Sequence, residues 1–363
     1  MTNALPVCCT VHVRVPATSA NLGSGFDAAG LALEYFDELT FTWNGDLDDS
    51  SAIVAIHGEG EDTLPRDGRH LVVKTFRTAC KAFGLPKLGF ALEAENRIPQ
   101  ARGMGSSAEA IVAGVAAAAA FAGLGDTDVA GTDCAAGFGT SFDVDRDAVF
   151  ALAAGLEGHP DNVAPAVYGS MTVSWNRAGE DTVLVQDYSA ETGEPDGTAT
   201  EPLDPGFRTV NYAVADTLRA TVFVPDFELS TEKARHALPS GVPFADATFN
   251  LARSAMLPAA VNPAVTTGDD PNLANALLFD ALDDKLHQPY RLPLMEPTAR
   301  LVARLRAAGF AASVSGAGPC ALVLAHGDLD AAIDDAAAPA LSNGHWKVLH
   351  LPVNRTGVQV SIR

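Results

Sequence analysis

The stretch that decides the fold is PQARGMGSSA, residues 99–108, which runs directly into an alanine-rich helix predicted to continue over residues 111–123. Gly103 and Gly105 permit backbone angles and close approaches that side chains forbid. The two serines that follow favour a helix N-terminus, where unpaired N–H groups and the helix dipole attract anions. The stretch predicts a phosphate-binding loop, although it also suits a tight loop that only caps a core helix.

The segment before this loop strengthens the phosphate-binding interpretation. Residues 88–96, LGFALEAEN, alternate like a strand, so the order is strand, glycine-serine loop and helix. The loop is not of the Walker A type, because no Lys-Ser or Lys-Thr pair follows its last glycine. Backbone N–H groups, hydroxyls and a metal ion would therefore have to balance the charge of a triphosphate.

Composition narrows the class of protein. The chain has 363 residues, 47% hydrophobic and 19% charged, enough for a large core in one large domain or two. Its formal net charge of −21 argues against nucleic-acid partners or an acidic membrane surface. No stretch resembles a signal peptide or a membrane span. Five cysteines without a paired pattern suit a reduced cytoplasmic setting, and the nine histidines lack zinc-binding spacing.

Periodicity predicts a chain of mixed helices and strands, an α+β fold class. Strands are predicted at residues 11–15, 39–43, 53–57, 88–96, 171–175, 218–224, 310–315 and 321–325. Helices are predicted at residues 71–83, 142–155, 230–238, 272–285 and 295–308. Residues 31–35 fit either a strand or the start of a helix. Residues 187–206 are polar and rich in proline and glycine, so we expect a flexible surface insertion there.

Two further polar loops carry candidate ligand-binding residues. In ATSANLGSGFDAAG, residues 17–30, Asn21 and Asp27 suit an amine and a hydroxyl of a small ligand, or a simple Asx-turn. In EGHPDNVAPAVYG, residues 157–169, Glu157 is a candidate Mg²⁺ ligand. The neighbouring Asp161 and Asn162 could face a nucleophile or a transferring phosphoryl group. The alternative for the second loop is an ordinary helix end, with His159 as a structural hydrogen-bonding residue.

The last candidates are a glycine turn and two arginines. The glycines of SGAGPCAL, residues 315–322, would let the backbone pack closely under another loop or a phosphate, or form a plain β-turn. Arg235 and Arg291 are candidate carboxylate clamps, because arginine binds carboxylates through two parallel hydrogen bonds. Either arginine could equally be a solvated surface charge.

Taken together, these four motifs resemble the homoserine kinase family of the GHMP kinase superfamily. They occur in the family's order between residues 13 and 320. The resemblance implies an N-terminal domain of the ribosomal protein S5 domain 2-like fold over residues 1–168. It implies a ferredoxin-like C-terminal domain over residues 169–363, with the active site between the two. The implied reaction converts ATP and L-homoserine to ADP and O-phospho-L-homoserine, in threonine biosynthesis.

The resemblance also implies a role for individual residues. The ATP phosphates would be held by the loop residues Pro99, Arg102, Gly103, Met104, Gly105, Ser106, Ser107 and Ala108. Ser107 and Glu157 would hold Mg²⁺. L-homoserine would be bound by Asn21, Asp27, His159, Asp161, Arg235, Arg291 and Gly316, with Asp27 on its ammonium and both arginines on its carboxylate. Asn162, Glu157 and Thr231 would be catalytic. The family lacks the general-base aspartate of mevalonate kinase, so the hydroxyl proton would pass to the γ-phosphate.

Two positions depart from the family's pattern. Glu109 adds a negative charge beside the phosphate loop, and we expect it to face solvent. His70 stands where relatives often carry asparagine near the adenine. Two alternative functions stay open: a GHMP kinase for another acceptor such as mevalonate, and a non-catalytic nucleotide-binding protein. The Asp27 carboxylate argues against the first, since mevalonate has no ammonium. Ser107 and Glu157, the two candidate metal ligands, argue against the second. The resemblance is also compatible with a homodimer.

Overall fold

The computed structural model describes residues 5–47, 49–126, 139–177, 182–188, 195–266, 270–342 and 344–363. Its strands are β1 Thr10–Ala20, β2 Ala29–Leu47, β3 Ala52–Gly58, β4 Leu88–Asn96, β5 Thr140–Phe142, β6 Met171–Arg177, β7 Thr182–Tyr188, β8 Pro195–Pro202, β9 Gly206–Tyr212, β10 Leu218–Pro225, β11 Ala311–Val314, β12 Ala321–His326, β13 Trp346–Pro352 and β14 Gln359–Ile362. Its α-helices are α1 Leu71–Ala82, α2 Ser106–Phe121, α3 Arg146–Glu157, α4 Val163–Tyr168, α5 Thr231–His236, α6 Phe244–Val261, α7 Pro271–Ala281, α8 Gln288–Arg291, α9 Glu296–Ala307 and α10 Asp330–Leu341.

A mixed eight-stranded sheet is formed mainly by strands from the first half of the chain, and β9 and β14 from the second half join it. Its order is β3-β4-β2-β1-β14-β5, with β6 beside β2 and β9 beside β6. Helix α2 is buried along almost its whole length, because alanine side chains let neighbouring helices and the sheet approach it from several sides. The N-terminus of α2 is thereby fixed at the edge of the core.

A four-stranded antiparallel sheet, β11-β12-β10-β13, forms the second layer of the molecule. Helices α9 and α10 pack on one face of this sheet. Helix α7 packs against β11 and β12 on its opposite face. One apolar cluster joins both sheets, since Leu31 and Leu33 from the first pack with Leu322 and Leu324 from the second. This shared core fixes the two sheets against each other, and the cleft described below opens where they meet.

The structure confirms most predicted elements and corrects several. The strand at residues 88–96 and the helix N-cap at Ser230 are confirmed, and residues 31–35 form strand. The predicted loop at residues 17–30 is wrong at both ends, because β1 continues to Ala20 and β2 begins at Ala29. The helix predicted from residue 142 begins at Arg146, after an Asp145 cap. Helices α6 and α10 were not predicted.

Two further results concern the second half of the chain. The prediction of a flexible insertion at residues 187–206 is wrong for residues 195–202, which form β8 and pair with β7, and for residues 187, 188 and 206, which belong to β7 and β9. Residues 189–194 of that segment lie outside the described part. Strands β6, β9 and β14 all follow residue 168 yet join the first sheet, and β14 pairs directly with β1. The boundary at residues 168/169 stays a prediction.

Two glycines in helices provide a matched test of the packing around α2. A Cβ at Gly114 would lie 2.3 Å from Thr75 Oγ1 and 2.9 Å from the Val72 carbonyl oxygen, whereas a Cβ at Gly155 would meet no atom within 4 Å. We expect Gly114→Ala to lower the free energy of unfolding by about 1–3 kcal/mol through overpacking. Gly155→Ala should raise it by about 0.5–1 kcal/mol through helix propensity. Urea unfolding measures both, and equal effects of the same sign would contradict this packing.

Candidate active site

A cleft with a volume of about 330 Å³ lies where the phosphate-loop candidate meets the other polar loops. It is lined by 14 of the predicted site residues: Asn21, Gly103, Gly105, Ser106, Ser107, Ala108, Glu157, His159, Asp161, Asn162, Thr231, Arg235, Arg291 and Gly316. Pro99, Arg102, Met104 and Asp27 do not line it. The side chain of Arg102 instead donates to the Pro225 carbonyl at 3.0 Å. The four motifs thus converge on one site.

The shape of the phosphate loop depends on its two glycines. Both have a positive φ, 82° at Gly103 and 76° at Gly105. A Cβ at Gly103 would lie 2.2 Å from the Ser315 carbonyl oxygen, and a Cβ at Gly105 would lie 2.0 Å from Thr18 Oγ1. Gly105 is also the N-cap of α2, so it sets the direction in which the first N–H groups of this helix point.

The glycine turn after β11 supports this loop from behind. The Ser315 hydroxyl donates to the Gly103 carbonyl at 2.6 Å, and the Cys320 N–H donates to the Arg102 carbonyl at 3.0 Å. The Gly316 N–H donates to the Ala20 carbonyl at 3.0 Å. Close packing of the turn under another loop, rather than an isolated β-turn, is therefore confirmed.

Ser107 and Glu157 place two oxygen atoms that can bind a metal ion close together at the N-terminus of α2. The Ser107 hydroxyl donates to Glu157 Oε2 at 2.9 Å. Burial raises the pKa of Glu157, because the charged carboxylate is poorly solvated. A hydroxyl and a carboxylate beside a phosphate loop fit Mg²⁺, which takes few protein ligands and completes its shell with phosphates and water. Within the described ranges no group of three or more His, Cys, Asp or Glu could hold a metal alone.

His159 and Asp161 form a hydrogen-bonded pair on the wall of the cleft. His159 Nδ1 lies 3.0 Å from Asp161 Oδ1, and its Nε2 lies 3.8 Å from Glu157 Oε1. The hydrogen bond to Asp161 raises the pKa of His159, against the effect of partial burial. Asn162 is fixed separately, because Thr18 donates to its Oδ1 at 2.7 Å. Its amide nitrogen is then the group that would meet a ligand.

Asp27 and Arg235 bind each other in this structure. Their two parallel hydrogen bonds measure 2.9 and 3.0 Å, and the bond to Asp27 raises the pKa of Arg235. Asn21 positions the aspartate by accepting from the Asp27 N–H at 2.9 Å, and this bond spans six residues, unlike the Asx-turn that the sequence allowed as an alternative. The pair remains about one third exposed, 36% for Asp27 and 37% for Arg235. The Arg235 guanidinium therefore lines the cleft with the Asp27 carboxylate bound beside it.

Arg291 is a buried cation rather than the solvated surface charge that the sequence also allowed. It is 1% exposed, and burial lowers its pKa. Its Nη1 donates to the Gly316 carbonyl at 3.4 Å and lies 3.3 Å from His287 Nδ1. No carboxylate of the described residues lies within 4.0 Å of its guanidinium, and its Nε has no partner. Asp27, Asp161 and Asp284 attract this cation without contacting it, so burying it remains costly, and an anionic ligand in direct contact would lower that cost.

A second cavity of about 270 Å³ adjoins the cleft and shares Ala101, Ser106 and Ser107 with it. His70 and Glu109 line it, and both ring nitrogens of His70 lack a partner. The expectation that Glu109 faces solvent is wrong. It is 5% exposed and shares a hydrogen bond with the Asp37 carboxyl, whose other contacts are the N–H groups of residues 97 and 98. Burial raises the pKa of Asp37 to about 6 and that of Glu109 well above its usual range.

Sequence reasoning missed the groups that hold the ligand-facing side chains. Thr18, which fixes Asn162, lies inside the quoted ATSAN motif but carried no signal of that partner. His287 Nε2 contacts the Gly23 carbonyl at 2.7 Å, and Asp284 accepts from the His287 N–H at 3.1 Å. The first contact joins residues 264 positions apart, and the second lies in a turn without a recognisable motif, so only the fold reveals them.

No helix among the described residues is long and apolar enough to cross a membrane.

The double-layered architecture and this glycine-lined cleft define a GHMP kinase. The family model for the GHMP kinases N terminal domain matches residues 70–170, and that for the GHMP kinases C terminal domain matches residues 257–340. A homoserine kinase from Corynebacterium aurimucosum is 40% identical and covers 90% of each chain. One from Corynebacterium kroppenstedtii is 38% identical over 97% of this chain and 96% of its own.

A solved structure agrees in fold. The homoserine kinase from Cytophaga hutchinsonii superposes with a TM-score of 0.71, covers 97% of each chain and is 22% identical. That identity supports the fold alone, whereas the curated relatives at about 40% identity establish the family. This chain belongs to the homoserine kinase family.

The pairing of His159 with Asp161 predicts a measurable titration. The hydrogen bond to Asp161 is the main reason that the pKa of His159 is raised in the folded protein, so Asp161→Asn should lower this pKa, because burial and Arg235 are then opposed by Glu157 alone. The bond to protonated His159 contributes stability below about pH 6.5, and that contribution disappears as the pH rises through the folded-state pKa. The variant should therefore lose more stability at pH 5.5 than at pH 8.5. NMR titration of the histidines measures the shift, with His326 as the internal control; an unchanged His159 pKa would exclude the pairing.

Proposed function

We propose that this protein transfers the γ-phosphoryl group of ATP to the side-chain hydroxyl of L-homoserine and releases ADP and O-phospho-L-homoserine. The observation that carries the proposal is Arg291, a buried guanidinium without a carboxylate partner among the described residues, on the wall of a cleft that ends at the N-terminus of α2. The names of the relatives support the same acceptor, and O-phospho-L-homoserine would serve threonine biosynthesis.

Recognition of the acceptor rests on three charged groups. Arg235 and Arg291 would bind the carboxylate of the amino acid, and Asp27 would bind its ammonium. Because Asp27 and Arg235 already form an ion pair, the zwitterionic backbone of homoserine would insert its own two charges between or beside theirs. Mevalonate carries a carboxylate but no ammonium, so it would offer Asp27 no cationic group to bind. This difference favours an amino-acid acceptor.

Recognition of the nucleotide rests on the loop and the first turn of α2. Ser106 and Ser107 line the cleft, and their hydroxyls and the backbone N–H groups of this turn would hold the phosphates. Ser107 and Glu157 would hold Mg²⁺, which when bound neutralises phosphate charge. The adjoining cavity next to His70 is large enough for part of the base.

Catalysis would depend mainly on position. Phosphoryl transfer has a loose transition state, so aligned reactants and oriented donors contribute most of the acceleration. Asn162 and Thr231 lie on the cleft wall and would orient the attacking hydroxyl. Asp161 is buried and committed to His159, so it supports that side chain rather than acting as the base. The hydroxyl proton would leave on the transferred phosphoryl group.

The direct test is ADP release with Mg·ATP and four acceptors in parallel: L-homoserine, L-threonine, L-serine and mevalonate. We expect efficient turnover with L-homoserine and at least about tenfold lower kcat/KM with the others, since each loses a charge contact or misplaces its hydroxyl. Preferred turnover of mevalonate would retain the kinase and overturn the assignment of Asp27. ATP binding without turnover of any acceptor would favour a non-catalytic role.

Removing half of the carboxylate clamp tests the site residue by residue. Arg235→Leu deletes an interaction worth roughly 2–4 kcal/mol, so the KM for L-homoserine should rise by at least about tenfold. The KM for ATP should stay within about threefold, because no proposed phosphate contact involves this side chain. Arg300→Leu, on the exposed face of α9, is the matched control and should leave both constants unchanged. Equal rises in both KM values for Arg235→Leu would overturn the clamp.

Location and assembly are part of the same proposal. We place the enzyme in the cytoplasm, with no nucleic-acid or membrane partner, in line with its acidic composition and its five cysteines without a paired pattern. A homodimer remains a prediction from the resemblance. Light scattering on the purified protein distinguishes a monomer of 37.6 kDa from a species of twice that mass.

A further inference from the structure

The charge along α1 and its flanks is opposite to that of the whole protein. Residues 68–92 contain five cations and no aspartate or glutamate, in a chain whose net charge is −21. The cations are Arg69, which pairs with Asp67, and Lys74, Arg77, Lys81 and Lys87. A local excess of positive charge on an acidic protein attracts anions to that place in particular.

The same segment covers a cavity that the active site does not use. It has a volume of about 360 Å³ and lies between the C-terminal half of α1 and the start of β4. Its inner wall is apolar and buried, and consists of Phe76, Cys80, Leu85, Pro86 and Leu88. An apolar cavity of about 150 Å³ is enough for benzene, so this one accommodates a body about the size of naphthalene.

Three of these cations, Arg77, Lys81 and Lys87, line the mouth of this cavity. Lys81 and Lys87 are exposed there, and no carboxylate in the described part of the chain lies within 4.0 Å of either ammonium. Arg77 donates to the Ser50 carbonyl. The one acid at the mouth, Asp49, accepts from Asn44 and from Ser51 and leaves both lysines unneutralised. An apolar interior with a cationic entrance suits an organic anion that carries its charge at one end.

Helix α1 connects this cavity to the active site. Its first residues, Leu71 and Val72, line the second cavity beside the phosphate loop, while Phe76 and Cys80 line the cavity under its C-terminal half. The helix cannot slide independently of α2, because Gly114 of α2 leaves no room for even a Cβ against Thr75. A ligand that displaces the C-terminal half of α1 would therefore also move residues at the nucleotide site.

We propose that the cavity under α1 is a second ligand site, which takes a small organic anion with an apolar body, and that its occupancy changes nucleotide affinity through α1. The site is separate from the catalytic cleft, and its existence does not depend on the identity of the phosphoryl acceptor.

The probe is 1-naphthaleneacetate, with uncharged 1-naphthaleneacetamide as the comparator, both titrated calorimetrically into the intact protein. We expect saturable binding of the acid with one site per chain, and at least about tenfold weaker binding of the amide, which lacks the charge. Lys81→Glu should weaken binding of the acid by at least about tenfold through charge reversal at the mouth. Lys74→Glu reverses the same charge on the same helix but outside the cavity, so its effect should stay within about threefold.

A second titration measures the coupling directly. The dissociation constant of ADP should change at least about threefold when the protein is saturated with 1-naphthaleneacetate, as is typical of coupled sites. This readout does not require catalysis, so it separates the second site from the proposed kinase activity. Absence of binding, or equal losses in Lys81→Glu and Lys74→Glu, would overturn the site. Tight binding with an unchanged ADP constant would overturn the coupling through α1.

Discussion

The contact on which the site depends is the close approach of the phosphate loop to its neighbours at two glycines. No side chain fits at Gly103 against the Ser315 carbonyl, or at Gly105 against the Thr18 hydroxyl. The first contact ties the loop to the turn after β11, and the second ties it to β1. The N-terminus of α2 is therefore oriented by both sheets together, and Thr18 also holds Asn162. A change in this contact would move the phosphate donors and an acceptor-facing amide together.

The charged side chains around this fixed loop favour the binding of ligands with opposite charge. Arg291 is buried without a carboxylate partner in the described structure, whereas the nearby Asp27 and Arg235 bind each other and stay partly exposed. A buried ion that lacks its counter-ion destabilises the folded protein, and retaining one is explained most simply by a ligand that supplies the opposite charge. Ser107 and Glu157, which also line the cleft, provide oxygen atoms for a bound cation. The cleft thus provides complementary charge for a zwitterion and a metal-bound triphosphate.

Local sequence was sufficient for features whose cause is local. The two glycines and paired serines predicted the loop at the start of α2, and alternation predicted β4 from its first residue to its last. Features that depend on distant partners could not be predicted in this way. Glu109 was expected in solvent because an inward-facing carboxylate would repel a bound phosphate, yet it is buried against Asp37 from β2. The ion pair of Asp27 with Arg235 joins residues 208 positions apart, and no periodicity encodes it. The strand β8 was missed because its proline, glycine and acidic residues are typical of loops.

The measurement that tests this account most directly is a crystal structure with L-homoserine and a non-hydrolysable ATP analogue bound together. The account predicts that the analogue's phosphates accept hydrogen bonds from the first N–H groups of α2, with the homoserine carboxylate in contact with Arg291 and Arg235. The homoserine hydroxyl should then lie between Asn162 and the terminal phosphate. Phosphates bound away from α2, or a homoserine carboxylate that leaves Arg291 without an anionic partner, would contradict the central claim.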